Sequence, residues 1–357
     1  MHKSTKFFIF FDKICLFFCI FGFFLIQGCS NHSIDIDSFT QFETTQNELF
    51  TLLEKTDPGE EQHFAIIHQI ANNYQSQKQY NDLIVFLTNH VAQNPNDEYN
   101  AYWLLLTAYT YLETGAKPVA EMYFERIIKN YEDLSVKDES IHMLCLRNLL
   151  QISTDSENRV EYFLHLLRRY PNEISKAEIY ARLAAEYEKL TEWELALKAY
   201  ENFLEQPNAA TIQVVGIPGA YTKARQFVEF NNSAKNWTFE TLEELQQAVS
   251  TALAYYQFYK LEQYKSANFF AMSWKQNAAE TNTVVNYLLA DYAAGRRIYY
   301  SAELDESSTP NEAYLRTWNW PQYVSVWYFY FRKVNFPLDP EIHGRWEWAG
   351  IYYGEKL

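Results

Sequence analysis

From about residue 48 to residue 207, apolar side chains recur every three or four positions, polar residues fill the gaps and glycine is scarce. That period puts the apolar residues on one stripe of a helix, so it predicts a run of amphipathic helices. A terminator recurs along the run. AQNPN ends at Asn96, KNYED at Asp133, RRYPN at Asn172 and EQPNA at Ala209, spacings of 37, 39 and 37 residues. A fixed period of about 20–50 residues marks an array of supersecondary units, each too small to bury its own apolar face. Residues 209–237 break the pattern with Gly216, Pro218, Gly219 and the polar NNSAKN, and read as a linker.

The pattern changes after the linker. Thr238 is expected to cap one helix over TFETLEELQQAVSTALAYYQFYKLEQY, with Glu240, Glu243 and Glu244 favouring its positive end. NFFAMSWK (268–275) predicts a strand and NTVVNYLLADYA a short helix. RIYYSAELDES alternates, with Ile298, Tyr300, Ala302 and Leu304 on one side and Tyr299, Ser301, Glu303 and Asp305 on the other, as a half-buried strand does. QYVSVWYFYFRKV and RWEWAGIYYGE follow as aromatic strands around a loop, NFPLDPEIHG. The expected fold is an α-solenoid of helical hairpins over 48–208, then an α+β domain with an antiparallel sheet over 238–357.

Within the helical run, AEIYARLAAEYEKLTEWELALKAYENFLEQPN carries Tyr180, Leu183, Ala184 and Tyr187, then Trp193, Ala196, Tyr200, Phe203 and Pro207. Small residues such as Ala184 and Ala196 let two helices of a unit approach, large residues fill the groove, and proline stops the second helix. The pattern resembles the tetratricopeptide (TPR) repeat. Two more units fit: Ile67, Ile70, Ala71, Tyr74, Tyr80, Leu87 and Pro95, then Leu104, Ala108, Tyr111, Gly115, Ala120 and Phe124. A unit over 140–171 is degenerate, with Met143, Leu146, Leu150, Phe163, Leu166 and Pro171 kept and Arg147 and Arg159 in place of small residues. The resemblance covers residues 60–208 and implies a non-catalytic scaffold that presents a groove to an envelope protein or peptide.

At the start of the chain, thirteen apolar or small residues run from Ile14 to Ile26 behind Lys3, Lys6 and Lys13. About 20 apolar residues are needed to span a bilayer. The shorter run behind a basic stretch reads as a secretory signal over 1–28. Leu25-Ile26-Gln27-Gly28-Cys29 resembles the lipobox of bacterial lipoproteins, with Gln27 where a small or β-branched residue is usual. The resemblance implies cleavage before Cys29 and acylation of its thiol. Two or three acyl chains, at about 0.8 kcal/mol per buried methylene, would hold the chain on a bacterial membrane, on its periplasmic side. Residues 29–47 read as a polar tether.

Charge and cysteine usage narrow the classes. Removing 1–28 takes away three lysines and one aspartate, so the remainder carries −17 against −15 for the whole chain. Nucleic acid needs basic side chains against its phosphates, so it is not an expected partner. Cys15 and Cys19 leave with the signal and Cys29 takes lipid, which leaves Cys145 in the apolar HMLCLRNLL as a buried, inert thiol. At 48% hydrophobic the chain can bury sizeable cores.

Candidate chemistry is sparse. No GxxxxGK[ST], HExxH, GxSxG, CxxC or GxGxxG occurs, and neither a cofactor nor a metal is expected. His63 and His68 are five apart, not the four that share a helix face. Glu303 and Asp305 would lie about 7 Å apart on one strand face. Seven of nine tryptophans lie beyond residue 230. Trp318 with Trp320, and Trp346 with Trp348, would share strand faces, so the four could form a face for a small apolar or sugar ligand or fill the core. Pro321 points to Trp318 and Trp320 as the more exposed pair. The sequence therefore suggests a non-enzymatic binding protein. The runner-up is a ligand-binding module in the last third of the chain.

Overall fold

The computed structural model describes residues 36–136, 138–274, 288–321 and 323–356. Cys29 and the predicted signal lie outside the described residues. The chain divides into two compact units, one through Glu98 and the other from Tyr99.

The first unit holds α1 (Ile36–Leu53), α2 (Glu61–Ser76) and α3 (Tyr80–Gln93). Residues 36–47, expected as tether, are thus helical. Gln46 explains why: it is buried, its amide donates to the Ile70 carbonyl at 3.4 Å, and it accepts from Asn73 at 3.0 Å. Ile67, Ile70 and Ala71 of α2 and Leu83, Leu87 and Val91 of α3 form the buried stripe, at the spacing read from the sequence.

The second unit begins with α4 (Asn100–Glu113) and α5 (Lys117–Asn130), then a short hairpin of β1 (Ser135–Val136) and β2 (Glu139–Ser140). It continues through α6 (Ile141–Ile152), α7 (Ser156–Arg169), α8 (Lys176–Lys189) and α9 (Trp193–Leu204). Each helix packs on its neighbours in sequence. Pro171 and Pro207 follow α7 and α9, where a helix cannot continue.

One turn joins the helices within several pairs. Lys78, Gly115 and Thr191 adopt left-handed φ of 57°, 82° and 59° between α2 and α3, α4 and α5, and α8 and α9. In each, the amide two residues past the last helical residue's cap reaches back: Gln79 to Tyr74 at 2.9 Å, Ala116 to Tyr111 at 2.8 Å and Glu192 to Tyr187 at 2.9 Å. This satisfies carbonyls that the helix end would otherwise orphan. The degenerate unit also forms a helix pair. Its Arg159 donates to the Leu150 and Ser153 carbonyls at the end of α6 and to Glu186 of α8 at 2.8 Å. The arginine replaces close helix contact with a polar link across three helices.

The predicted linker contains α10 (Ala220–Asn232), which packs on α9. Its Phe227 and Phe230 meet Phe336 at ring centroid distances of 4.9 and 6.0 Å. Residues 209–237 therefore carry core rather than separate two domains. After β3 (Thr238–Phe239), α11 (Leu242–Ala254) starts at Thr241, whose side chain accepts from Glu244 while Glu244 accepts back, a full capping box. Thr238, expected as the cap, is in a strand. The expected single helix breaks at Tyr256 (φ 57°), where the same left-handed turn leads into α12 (Phe258–Tyr264) and the Gln257 amide reaches Ala252 at 2.8 Å.

The sheet comprises β3, β4 (Lys265–Ser273), β5 (Tyr299–Tyr300), β6 (Glu312–Trp318), β7 (Val326–Lys333) and β8 (Trp346–Tyr353), with α13 (Leu289–Ala293) between β4 and β5. The order is β3-β8-β7-β6-β5, antiparallel throughout, and β4 pairs with β8 in parallel. The β4–β8 pairing departs from the all-antiparallel expectation. RIYYSAELDES yields only the two-residue β5, and the strand expected around Trp318 and Trp320 runs instead from Glu312 to Trp318 as β6. Leu245, Val249 and Leu253 of α11 and Leu261 of α12 pack on Leu315, Trp327, Phe329, Phe331, Trp348 and Ile351 of the sheet.

Candidate functional site

The two faces of the sheet differ in chemistry. Strand alternation sends Ala313 and Leu315, Trp327, Phe329 and Phe331 toward the helices, and Tyr314, Arg316, Tyr328, Tyr330 and Arg332 away from them. On β8 the pairing passes from Tyr330↔Gly350 to Phe331↔Trp348, so Ala349 is an extra residue. This bulge inverts the alternation: Trp346 and Trp348 face the core before it, Ile351 after it, and Tyr352 joins the outer tyrosines.

The outer face is a continuous aromatic layer. Tyr314 stacks on Tyr330 at 5.2 Å, and Tyr352 meets Tyr330 at 5.6 Å. Phe270 lies over Gly350, where a Cβ would come within 2.7 Å of the Phe270 carbonyl oxygen and 2.8 Å of its ring. Trp274 stacks on Tyr352 at 4.5 Å with planes 12° apart, and its indole N–H donates to the Gly354 carbonyl at 3.0 Å. Burial with Glu312 and Tyr352 nearby pushes the Tyr314 hydroxyl up to about 12, so it stays a neutral donor.

Ionic groups edge this layer. Glu347, fully buried, accepts from Arg332 Nε at 2.6 Å and from Ser266 Oγ at 2.5 Å. Arg316 pairs with Glu355, which also accepts from the Tyr328 hydroxyl at 3.1 Å. Lys356 Nζ lies 4.4 Å from the Tyr314 ring centroid, 5.0 Å from that of Trp274 and 3.9 Å from Asp305 Oδ1, and also contacts Ser307 Oγ. The Ser307 hydroxyl, helped by the Ser307 amide and Lys356, holds the Asp305 carboxyl below its usual range.

The tryptophans singled out from the sequence go mostly elsewhere. Trp320, 1% exposed, stacks on Trp327 at 4.0 Å and donates to Thr317 Oγ1 at 2.9 Å. Trp348 is fully buried against Phe329, and Trp346 is buried with it. These three are core: strand parity turns Trp346 and Trp348 under the helices, and the turn after β6 carries Trp320 there. Only Trp318 is partly open, stacked on Tyr299 at 5.9 Å with Arg316 over its ring. The expectation that Trp318 and Trp320 form the exposed pair fails at Trp320, since β6 ends at Trp318 and the next turn folds inward. Trp274, Tyr314, Tyr352 and Lys356 were not singled out from the sequence; the alternating Tyr328 and Tyr330 of WYFYF, which neighbour Tyr352 and Tyr314 in the sheet, were the available signal of an aromatic outer face.

Other expected pairs also part. Glu303 is exposed and Asp305 turns to Ser307 and Lys356, with no strand between them. His63 is buried beside His90, ring centroids 5.4 Å apart, whereas His68 stacks on Phe64 at 6.0 Å. His90 bonds Asp97 at 2.7 Å, and burial beside His90 lowers the His63 pKa. Among the described residues no group of three or more histidines, cysteines or acids is arranged to hold a metal ion. Cys145 is buried, and burial pushes its thiol up. A groove of about 410 Å³ also lies along α11 and α12, lined by Phe239, Thr251, Lys260 and Tyr264 among others. Among the described residues no helix is long and apolar enough to cross a membrane. No protein-family model matches the chain, and no curated protein matches it in sequence.

Proposed function

We propose that the protein is a bacterial lipoprotein, anchored through acylated Cys29, whose TPR-like hairpins form a non-catalytic scaffold for an envelope protein or peptide. The observation that carries this reading is the run of consecutive helix pairs in which Lys78, Gly115 and Thr191 repeat one left-handed turn. Such pairs bury their stripes against neighbours and leave the remaining helix surface for a partner. Exposed apolar residues on the second helices of three pairs, Val85, Met122 and Leu195, fit that use.

The test has two parts. Palmitate labelling should tag the native chain and not Cys29→Ala, which should leave the membrane fraction. A photo-crosslinking residue at Met122 or Leu195 in the membrane-bound protein should capture a defined envelope protein, and one at exposed Tyr259 should not. Capture from Tyr259 alone would move the partner to the C-terminal third. A second reading, that this part holds a small ligand, is favoured by the aromatic outer face of the sheet.

A further inference from the structure

The Lys356 ammonium sits in a setting unusual for a surface lysine. Two ring faces, Tyr314 at 4.4 Å and Trp274 at 5.0 Å, lie under it, and the Asp305 carboxylate stands 3.9 Å away. A single exposed ion pair at that distance would hold it weakly. Ring faces carry negative potential and attract cations, and aromatic walls with a nearby acid suit an organic ammonium better than a small metal ion. The walls come from three segments: Trp274 at the end of β4, Tyr314 on β6 and Asp305 in the loop before it. Each has partners other than Lys356. Trp274 is held by Tyr352 and the Gly354 carbonyl, Tyr314 by Tyr330, and Asp305 by its Ser307 bonds and by its amide, which donates to the Tyr314 carbonyl at 2.9 Å. Lys356 itself is exposed and reaches the site on a flexible stem.

We propose that Trp274, Tyr314 and Asp305 form a binding site for a quaternary ammonium group of the choline type, and that Lys356 is an internal stand-in displaced by that ligand. The inference rests on the ligand-binding reading of the C-terminal third and names its ligand class; it is independent of the scaffold. A quaternary ammonium needs no hydrogen-bond acceptors and loses little hydration, which matches walls that are mostly carbon.

Ligand-observed NMR titration of the full chain with choline tests it, with its neutral isostere 3,3-dimethylbutan-1-ol, glycerophosphocholine and a disaccharide as further probes. Lys356→Met, which removes the internal competitor, should tighten choline binding roughly tenfold. Asp305→Asn should weaken it roughly tenfold, as should loss of charge in the isostere. Lys356 is exposed and Asp305 half-buried, and an unchanged thermal midpoint in each variant shows that the fold is kept. Binding of choline with exclusion of glycerophosphocholine marks a solute, and equal binding of both marks a lipid headgroup; either outcome supports the site. Choline affinity unchanged in both variants, or matched by the isostere, overturns it. Disaccharide binding without choline overturns the ammonium assignment and keeps the ligand reading, whereas no binding by any probe sinks both.

Discussion

Gly350 and Glu347 show how single side chains control the outer face of the sheet. A methyl at residue 350 would meet the Phe270 backbone oxygen at 2.7 Å, so β4 or the ring must move. Gly350→Ala should therefore destabilise the protein by about 1–3 kcal/mol, read as a lower thermal midpoint. Glu347 is fully buried against Arg332. Glu347→Leu leaves that guanidinium unpaired and should cost about 3 kcal/mol in chemical denaturation, while Leu at both 332 and 347 should recover most of it. Glu186 predicts a pH dependence. Burial raises its pKa, but Arg159, Lys189 and Ser156 outweigh burial and leave it below the ordinary 4.5. The unfolded carboxyl then takes up protons first, so this contribution is present above about pH 4.5 and is lost as pH falls through the folded value. In Glu186→Gln the thermal midpoint should be lower at pH 7 and the two proteins should converge in acid. None of these three features was visible in the sequence, because each depends on a partner distant along the chain.

At the scale of elements, the repeated turn is the feature most open to test. Thr191 holds a left-handed φ of 59° that costs a β-branched residue about 1–2 kcal/mol. Thr191→Gly should raise the thermal midpoint, and Gly115→Val should lower it by a comparable amount. The helices were legible because apolar spacing and the proline terminators are local. The course of β6 from Glu312 to Trp318 was missed because EAYLRTW is short and is defined by the strands on either side of it. The tether and linker readings failed at α1 and α10 for a related reason: polar or glycine-flanked segments can fold as helices when Gln46 or Phe230 has a buried partner.

For the unit from Tyr99 onward, Phe336 is one of the contacts that join the helix pairs to the sheet. It comes from the loop between β7 and β8, is fully buried, and meets Phe227 and Phe230 of α10. Removing a buried phenylalanine costs about 3–5 kcal/mol. Phe336→Ala should also turn one calorimetric transition for this unit into two; a single shifted transition would show that coupling runs elsewhere. The sequence by itself determined the helical stripes, the loop around Phe336 and the aromatic strands, since those follow from periods of 3.6 and 2 within a short window. Which aromatic faced inward, which acid met Lys356 and where β4 paired were decided only by tertiary structure. The bulge at Ala349 reverses the alternation, and the contacts it sets up join residues too far apart in the chain for any local pattern to encode them.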